Sequence, residues 1–331
     1  MMSRRVLIVA AAIVSLAAAA PAQAQSVMKM ASATINDVQH EWLKRFEAAM
    51  KPHASRLKIE IYPASQLGQI PRMVEGVVVG TIESFVTPTS FLVSVEPRFQ
   101  VMDAIGVFES PAHLDRVLRD PGFRSRVLAL GEGRGVKGIG IFFNSPIIVL
   151  ARRPIQTLAD FNGKKIRVFG TPLQIEPMKK LGASPVPMAF GEVIPALQNG
   201  TIDGMLAGMP VLTPMKFYDV AKMVTEIHPS IVTSIQVVNK KWFDGLPADL
   251  QAAMLEAGAR VDREAYSFAA ALIERANKDW QANGGQLLRL PPAEQARLMA
   301  DLKALGAQLL SANPAVKAEY DELIKVVERT K

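Results

Sequence analysis

Arg167 is the residue whose type and position most favour ligand chemistry. It belongs to a segment in which Lys165, Arg167 and Phe169 alternate with Ile166 and Val168, a pattern typical of a half-buried β-strand. Arg167 then lies near the carboxyl end of the strand, where open α/β sheets place their ligand clefts. A guanidinium there can hold a carboxylate through two parallel hydrogen bonds. A salt-bridged or solvent-facing arginine is the alternative that this pattern leaves open.

The other chemistry-bearing residues form no recognisable catalytic or metal-binding set. The 331 residues include no cysteine, which excludes disulfides, thiolate nucleophiles and cysteine-ligated metals. The four histidines are scattered, with no pair three or four positions apart. The run from Gly133 to Gly138 matches G-x-G-x-x-G, but it follows a predicted helix and precedes a predicted strand, the reverse of a dinucleotide site. We therefore expect no enzymatic activity, no cofactor and no metal.

The first 24 residues are typical of a cleavable secretory signal. Arg4 and Arg5 precede an apolar run from Val6 to Ala20, and Ala22-Gln23-Ala24 fits the cleavage pattern. The run is too short to span a bilayer, although an uncleaved membrane anchor is the alternative. The chain has 38 Lys and Arg against 31 Asp and Glu, without a basic cluster. We expect an exported protein that is not membrane-embedded and binds no nucleic acid.

Strand-like and helix-like segments alternate along the rest of the chain. Short β-prone runs are predicted at 27–33, 57–62, 84–86, 136–143, 147–150, 165–169, 202–206, 231–239 and 286–290. This alternation predicts an α/β fold with largely parallel sheets. No repeat or low-complexity linker separates two halves, so we predict two lobes that exchange segments. The first comprises 25–145 and 233–270, and the second comprises 146–232 and 271–331.

One helix of unusual length is predicted from Pro247 to the turn at Asn283-Gly284. Its apolar residues recur at spacings of three and four. At 1.5 Å per residue, a single helix of this extent would run roughly 50 Å, about the span of two small domains. Two helices broken near Gly258 are the alternative, because an interior glycine costs up to ~1 kcal/mol.

Four blocks of the sequence, in order, closely resemble the solute-binding proteins of tripartite ATP-independent periplasmic (TRAP) transporters, the dicarboxylate-binding (DctP-like) type. The blocks are SRLKIEIYPASQLGQIPRMVEGVVVGTIE (55–83), PIQTLADFNGKKIRV (154–168), LGASPVPMAFGEVIPALQNGTIDG (181–204) and VVNKKWFDGLPADLQAAMLEAG (237–258). The resemblance implies a two-lobed periplasmic binding protein with crossing segments and a long helix over both lobes. It also implies a monomer that holds a substrate carboxylate on Arg167 and delivers it to TRAP membrane permease subunits.

Departures from the family pattern bear on the ligand. The position where many members have a second arginine holds Ile147, and the position of a ligand-binding asparagine holds Ala207. Phe91 stands where an arginine occurs in some members, and Phe169 replaces a frequent proline. The candidate ligand-binding residues implied by the resemblance are Arg167, Phe169, Phe190, Asn144, Thr89, Phe91, Ile147, Ala207 and Met205.

The number of cations then favours one class of ligand. One arginine neutralises one carboxylate, whereas a second buried carboxylate without a partner would cost several kcal/mol. We therefore expect a monocarboxylate with an apolar or aromatic body, or a 2-oxo acid. C4-dicarboxylates or other organic acids are the alternative, as is a stand-alone extracytoplasmic sensor. An exported enzyme is a further alternative, but no nucleophile or acid–base pair accompanies Arg167.

Overall fold

The computed structural model describes residues 25–331, so the predicted export signal lies outside the described residues. Within 25–331, nine β-strands form one mixed sheet. In chain order the strands are β1 (Ser26–Ser32), β2 (Leu57–Tyr62), β3 (Ser84–Pro88), β4 (Val136–Ala151), β5 (Lys165–Val168), β6 (Ser184–Pro187), β7 (Gly204–Gly208), β8 (Met223–Asn239) and β9 (Gln286–Arg289).

Two long strands, β4 and β8, carry the sheet from one lobe to the other. The strand order is β2-β1-β3-β8-β4-β7-β5-β6, with β9 paired to β8. β4 and β8 run antiparallel from the pair Val136 with Asn239 to the pair Ala151 with Met223. The outer pairs β1–β2, β1–β3, β5–β6 and β5–β7 are parallel. The first lobe thus shares a continuous antiparallel ribbon with the second, which the alternation of elements did not predict.

The prediction of two separate strands at 136–143 and 147–150 is wrong. β4 continues through Pro146, and its register against β8 shifts between Phe143 and Ser145 and again between Pro146 and Ile148. Proline cannot donate to a ladder hydrogen bond and is tolerated in strands at such irregularities. The irregular stretch lies midway along the ribbon.

Eleven α-helices within the described residues cover the sheet. They are α1 (Val38–Met50), α2 (Ile70–Val79), α3 (Pro111–Arg119), α4 (Pro121–Ala129), α5 (Pro172–Lys180), α6 (Val193–Gln198), α7 (Met209–Leu212), α8 (Lys240–Asp244), α9 (Ala248–Ala282), α10 (Pro292–Ser311) and α11 (Pro314–Arg329). None of the helices in residues 25–331 is both long and apolar enough to cross a membrane. The glycine run at 133–138 joins α4 to β4, with Gly135 in the left-handed region at φ 84°.

The long helix is confirmed as one continuous element. α9 has 35 residues and passes Gly258 without a break. A side chain at this position would meet a backbone carbonyl, since an ideal Cβ on Gly258 would lie 2.0 Å from the oxygen of Ile139. The glycine therefore allows close packing of α9 on β4. Further along the helix, buried Asp262 accepts hydrogen bonds from the Trp42 indole (2.8 Å) and the Ile141 amide (2.9 Å), which ties α9 to α1 and β4.

The C-terminal helix α11 packs on the first lobe, although the sequence assigned 271–331 to the second. Buried Glu319 pairs with Arg126 of α4 at 2.7 Å, and Arg329 pairs with Asp120 at 2.7 Å. These contacts favour assigning residues 314–329 to the first lobe. The other lobe boundaries stay a prediction.

Candidate ligand-binding site

A cavity opens between the lobes at the carboxyl ends of β1, β3, β5 and β7. The space in it that a water-sized sphere can occupy is about 50 Å³. Its lining residues are Ala33, Thr34, Gln39, Ile70, Thr87, Pro88, Phe91, Asn144, Ser145, Arg167, Phe169, Phe190, Met205, Ala207, Gly208, Val211 and Val232. The lining contains a single ionised side chain, Arg167, among residues that are mostly apolar.

Arg167 is fixed in the cavity wall by its backbone position and by three neighbours. It lies in β5 next to Met205 of β7, and its side chain is almost fully buried. Its Nε and Nη2 donate to the carbonyl oxygen of Met188 at 3.1 and 3.0 Å. The guanidinium carbon lies 5.0 Å from the ring centre of Phe169 and 5.8 Å from that of Phe190, within the range of cation–π attraction.

The guanidinium has no acidic partner in residues 25–331. Burial lowers the pKa of Arg167 to about 10, and no nearby carboxylate opposes this effect. The group therefore stays charged at neutral pH without a counter-ion. Because the Met188 carbonyl takes the edge formed by Nε and Nη2, the Nη1 end of the fork is left to donate to a ligand. A carboxylate is the group that best matches the planar N–H donors that remain at this end of the guanidinium.

The other polar groups of the lining fall into two sets. Asn144 and Gln39 both donate to the hydroxyl of Ser234, at 2.9 and 3.1 Å. Thr87 Oγ1 and Ser145 Oγ are buried without any hydrogen-bond partner. In the part of the chain that is described, no group of three or more acidic or histidine side chains could hold a metal ion.

Seven of the nine residues proposed from the sequence line this cavity: Arg167, Phe169, Phe190, Asn144, Phe91, Ala207 and Met205. Thr89 and Ile147 lie outside the lining. The Thr89 hydroxyl donates to the carbonyl of Thr233 at 3.3 Å. Ile147 pairs with Gly208 in the sheet, and its side chain belongs to the hydrophobic core.

Several lining residues were not singled out as site residues from the sequence. Thr34 follows β1 and Thr87 is near the end of β3, so the rule that parallel strands end at the ligand cleft could have identified both. Gln39, from the first turn of α1, carried no such signal.

Two contacts join the lobes beside the cavity. The ring of Phe91 stacks on Phe169 with centroids 5.1 Å apart. Asp103 accepts hydrogen bonds from Ser90 at 2.8 Å and from Thr171 at 3.4 Å. Burial raises the pKa of the Asp103 carboxyl to about 6, against the opposing effect of these hydroxyls. The segment 90–103 of the first lobe therefore meets 169–171 of the second through an aromatic stack and a buried carboxyl group.

Lobes joined by crossing strands and one long helix, with a lone cation in the cleft between them, define a two-lobed solute-binding protein. The chain belongs to the bacterial extracellular solute-binding proteins of family 7 (DctP), whose family model matches residues 30–312. It is a TRAP transporter solute-binding protein and not an enzyme.

Individual relatives agree with this membership. The 2,3-diketo-L-gulonate-binding periplasmic protein YiaO of Escherichia coli (strain K12) is 31% identical over 221 residues, which cover 66% of this chain and 67% of that protein. The C4-dicarboxylate-binding periplasmic protein DctP of Vibrio cholerae is 26% identical over 265 residues, covering 77% and 79%. A TRAP periplasmic solute-binding protein from Desulfovibrio salexigens, solved with bound orotic acid, superposes with a TM-score of 0.84 at 26% identity, covering 92% and 98%.

Proposed function

We propose that this protein is the periplasmic binding subunit of a TRAP transporter and captures an organic monocarboxylate with an apolar or aromatic body. The supporting observation is Arg167, a buried cation in the inter-lobe cavity with no acidic partner in residues 25–331. A buried charge without a counter-ion is costly, and an anionic ligand would supply that counter-ion. The carboxylate would bind the Nη1 end of the guanidinium.

The class of ligand follows from the charges and surfaces of the lining. A dicarboxylate is the second candidate, because two relatives are named as binders of C4-dicarboxylates. Against it, Arg167 is the one cation among the lining residues. A second carboxylate would lose its hydration without gaining an opposite charge, which costs several kcal/mol. Phe91, Phe169 and Phe190 instead offer aromatic walls to an apolar ligand body.

Capture proceeds by closure of the lobes. The carboxylate binds Arg167 on the second lobe, and the first lobe then approaches until Phe91 stacks on Phe169. Closure excludes water from the ligand body and forms the surface that the TRAP permease subunits recognise. The irregular stretch of β4 near Pro146 provides a place where the ribbon can bend. The protein acts as a monomer in this scheme.

The proposal is tested with purified protein, after removal of any co-purified ligand, by titration calorimetry against monocarboxylates, 2-oxo acids, succinate and malate. We expect the Arg167→Gln variant to lose about 30-fold or more in affinity, because a buried charge pair loses one partner. Arg167→Lys keeps the charge without the fork and should lose most of this affinity as well. Arg297→Gln, on the exposed side of α10, is the matched control.

Two results would contradict the proposal. Equal affinities of wild type and Arg167→Gln for every acid that binds would remove the role of Arg167. Tighter binding of succinate or malate than of any monocarboxylate would overturn the ligand class. Mass spectrometry of the compound that co-purifies with the native protein gives an independent identification.

A further inference from the structure

Two hydroxyl groups of the cavity lining remain without hydrogen-bond partners. Thr87 Oγ1 and Ser145 Oγ are both buried, and neither has a partner in residues 25–331. A buried hydroxyl without a hydrogen bond destabilises the fold, so such groups are rare in folded proteins and require an explanation. Four further buried atoms in residues 25–331 lack partners, but they belong to residues outside the lining. Of the six atoms, only Thr87 Oγ1 and Ser145 Oγ belong to residues that line the cavity.

The local structure keeps the Ser145 hydroxyl beside the cavity. Ser145 directly follows the register shift of β4 against β8 at Phe143. Its neighbour Asn144 is already engaged with Ser234. On the opposite side stands Gly208 of β7, where an ideal Cβ would lie 1.9 Å from Ser145 Oγ. The absence of a side chain at Gly208 is what leaves space for this hydroxyl.

The Thr87 hydroxyl comes from the first lobe. Thr87 is the fourth of the five residues of β3, so it lies at the carboxyl end of the strand, which borders the cleft. Other hydroxyls nearby are occupied, since Ser90 donates to Asp103 and Thr34 donates to Asp37. Among the hydroxyls of the lining residues, Thr34 is therefore paired and Thr87 and Ser145 are not; the Thr233 hydroxyl is also unpaired but lies outside the lining.

We propose that Thr87 and Ser145 form a polar subsite for an uncharged oxygen of the ligand. The inference rests on the proposed function and narrows it: the ligand is a hydroxy- or oxo-monocarboxylate, not an unsubstituted aliphatic or aromatic acid. A hydroxyl can donate or accept, so it suits either an alcohol or a carbonyl oxygen. A charged second oxygen is disfavoured because the subsite contains no cation.

The test compares matched acids that differ by one oxygen. Calorimetry is run with 3-phenylpropionate, phenyllactate and phenylpyruvate, and with the corresponding branched aliphatic series. We expect wild type to bind the better oxygenated member of a series about tenfold more tightly than the unsubstituted acid, because the added oxygen gains a hydrogen bond with the subsite. Thr87→Val and Ser145→Ala should each reduce this preference severalfold, with little change for the unsubstituted acid.

Thr89→Val is the matched control, because its hydroxyl binds the Thr233 carbonyl outside the lining. It should keep the full preference, and melting temperatures without ligand verify that each variant folds. Equal binding of oxygenated and unsubstituted acids by wild type would overturn the subsite while leaving the proposed function intact. An undiminished preference in the Thr87→Val/Ser145→Ala double variant would also overturn it. Absence of Arg167-dependent binding of any acid would overturn both proposals.

Discussion

Replacing Gly258 by alanine should destabilise the protein, although alanine is the better helix former. Gly258 lies in the interior of α9, and its neighbour across the interface is the backbone carbonyl of Ile139 in β4. An added methyl group at 2.0 Å from that oxygen cannot be accommodated by rotating a side chain. The helix must move away from the strand, and this helix is the element that spans both lobes.

The magnitude follows from two opposing contributions. A normal carbon–oxygen contact is about 3.3 Å, so the methyl group is roughly 1.3 Å too close. Overpacking of this kind costs typically 1–3 kcal/mol, and the backbone neighbour places the cost near 3 kcal/mol. Alanine returns about 1 kcal/mol of helix propensity. The net loss is about 2 kcal/mol, which lowers the melting temperature by about 4 °C in a chain of this size.

Thermal and urea unfolding, followed by circular dichroism, measure this change. Gly133→Ala is the control, because a Cβ at Gly133 would meet no atom within 4 Å. That variant should be neutral or up to about 1 kcal/mol more stable, owing to the lower entropy of its unfolded chain. If Gly258→Ala proves as stable as wild type, the close approach of α9 to β4 is not a constraint and the reasoning fails.

Two further predictions concern buried carboxyl groups. Because the folded protein raises the pKa of Asp103 to about 6, it binds more protons than the unfolded chain between pH ~4 and ~6. Acidification from pH 7 to 4.5 should therefore stabilise wild type by about 2 kcal/mol relative to Asp103→Asn, seen as diverging melting temperatures. Exposed Asp219→Asn is the control, and parallel curves for wild type and Asp103→Asn would refute the prediction. Arg126→Ala should cost roughly 3 kcal/mol in urea unfolding, because it leaves Glu319 buried and unpaired. Arg275→Ala, which breaks an exposed pair, should cost under ~1 kcal/mol, and equal losses would contradict the prediction.

Elements with strong local patterns were predictable from the sequence. The apolar spacing of α9 identified a helix that the structure extends from Ala248 to Ala282. The alternation of polar and apolar residues at 165–169 predicted β5, because successive side chains in a strand point to opposite faces. Arg167 is the third of the four residues of this strand and therefore lies near its end. β6 was missed, since Pro185 and Pro187 argue against a strand. Their missing amides are tolerated because β6 lies at the edge of the sheet.

Features that depend on distant contacts were not predictable. Gln39 reaches the cavity wall by donating to Ser234, which lies 195 positions away in the sequence. The assignment of α11 to the first lobe depends on Glu319 meeting Arg126, which are 193 positions apart. The local sequence pattern of a helix or strand gives no information on contacts between residues so far apart. Ser145 was likewise not chosen as a site residue, because an unsatisfied hydroxyl becomes visible only when its surroundings are known.

The docking of α11 on the first lobe gives the chain an even number of passages between the lobes. The first described strand, β1, and the last described helix both belong to the first lobe, so the polypeptide enters the second lobe twice, through β4 and along α9, and returns to the first lobe each time. A fluorophore or surface linker attached after Arg329 would consequently report on, or immobilise, the first lobe. The second lobe would remain free to swing, and its motion could be followed against a fixed reference without a label inside the cleft.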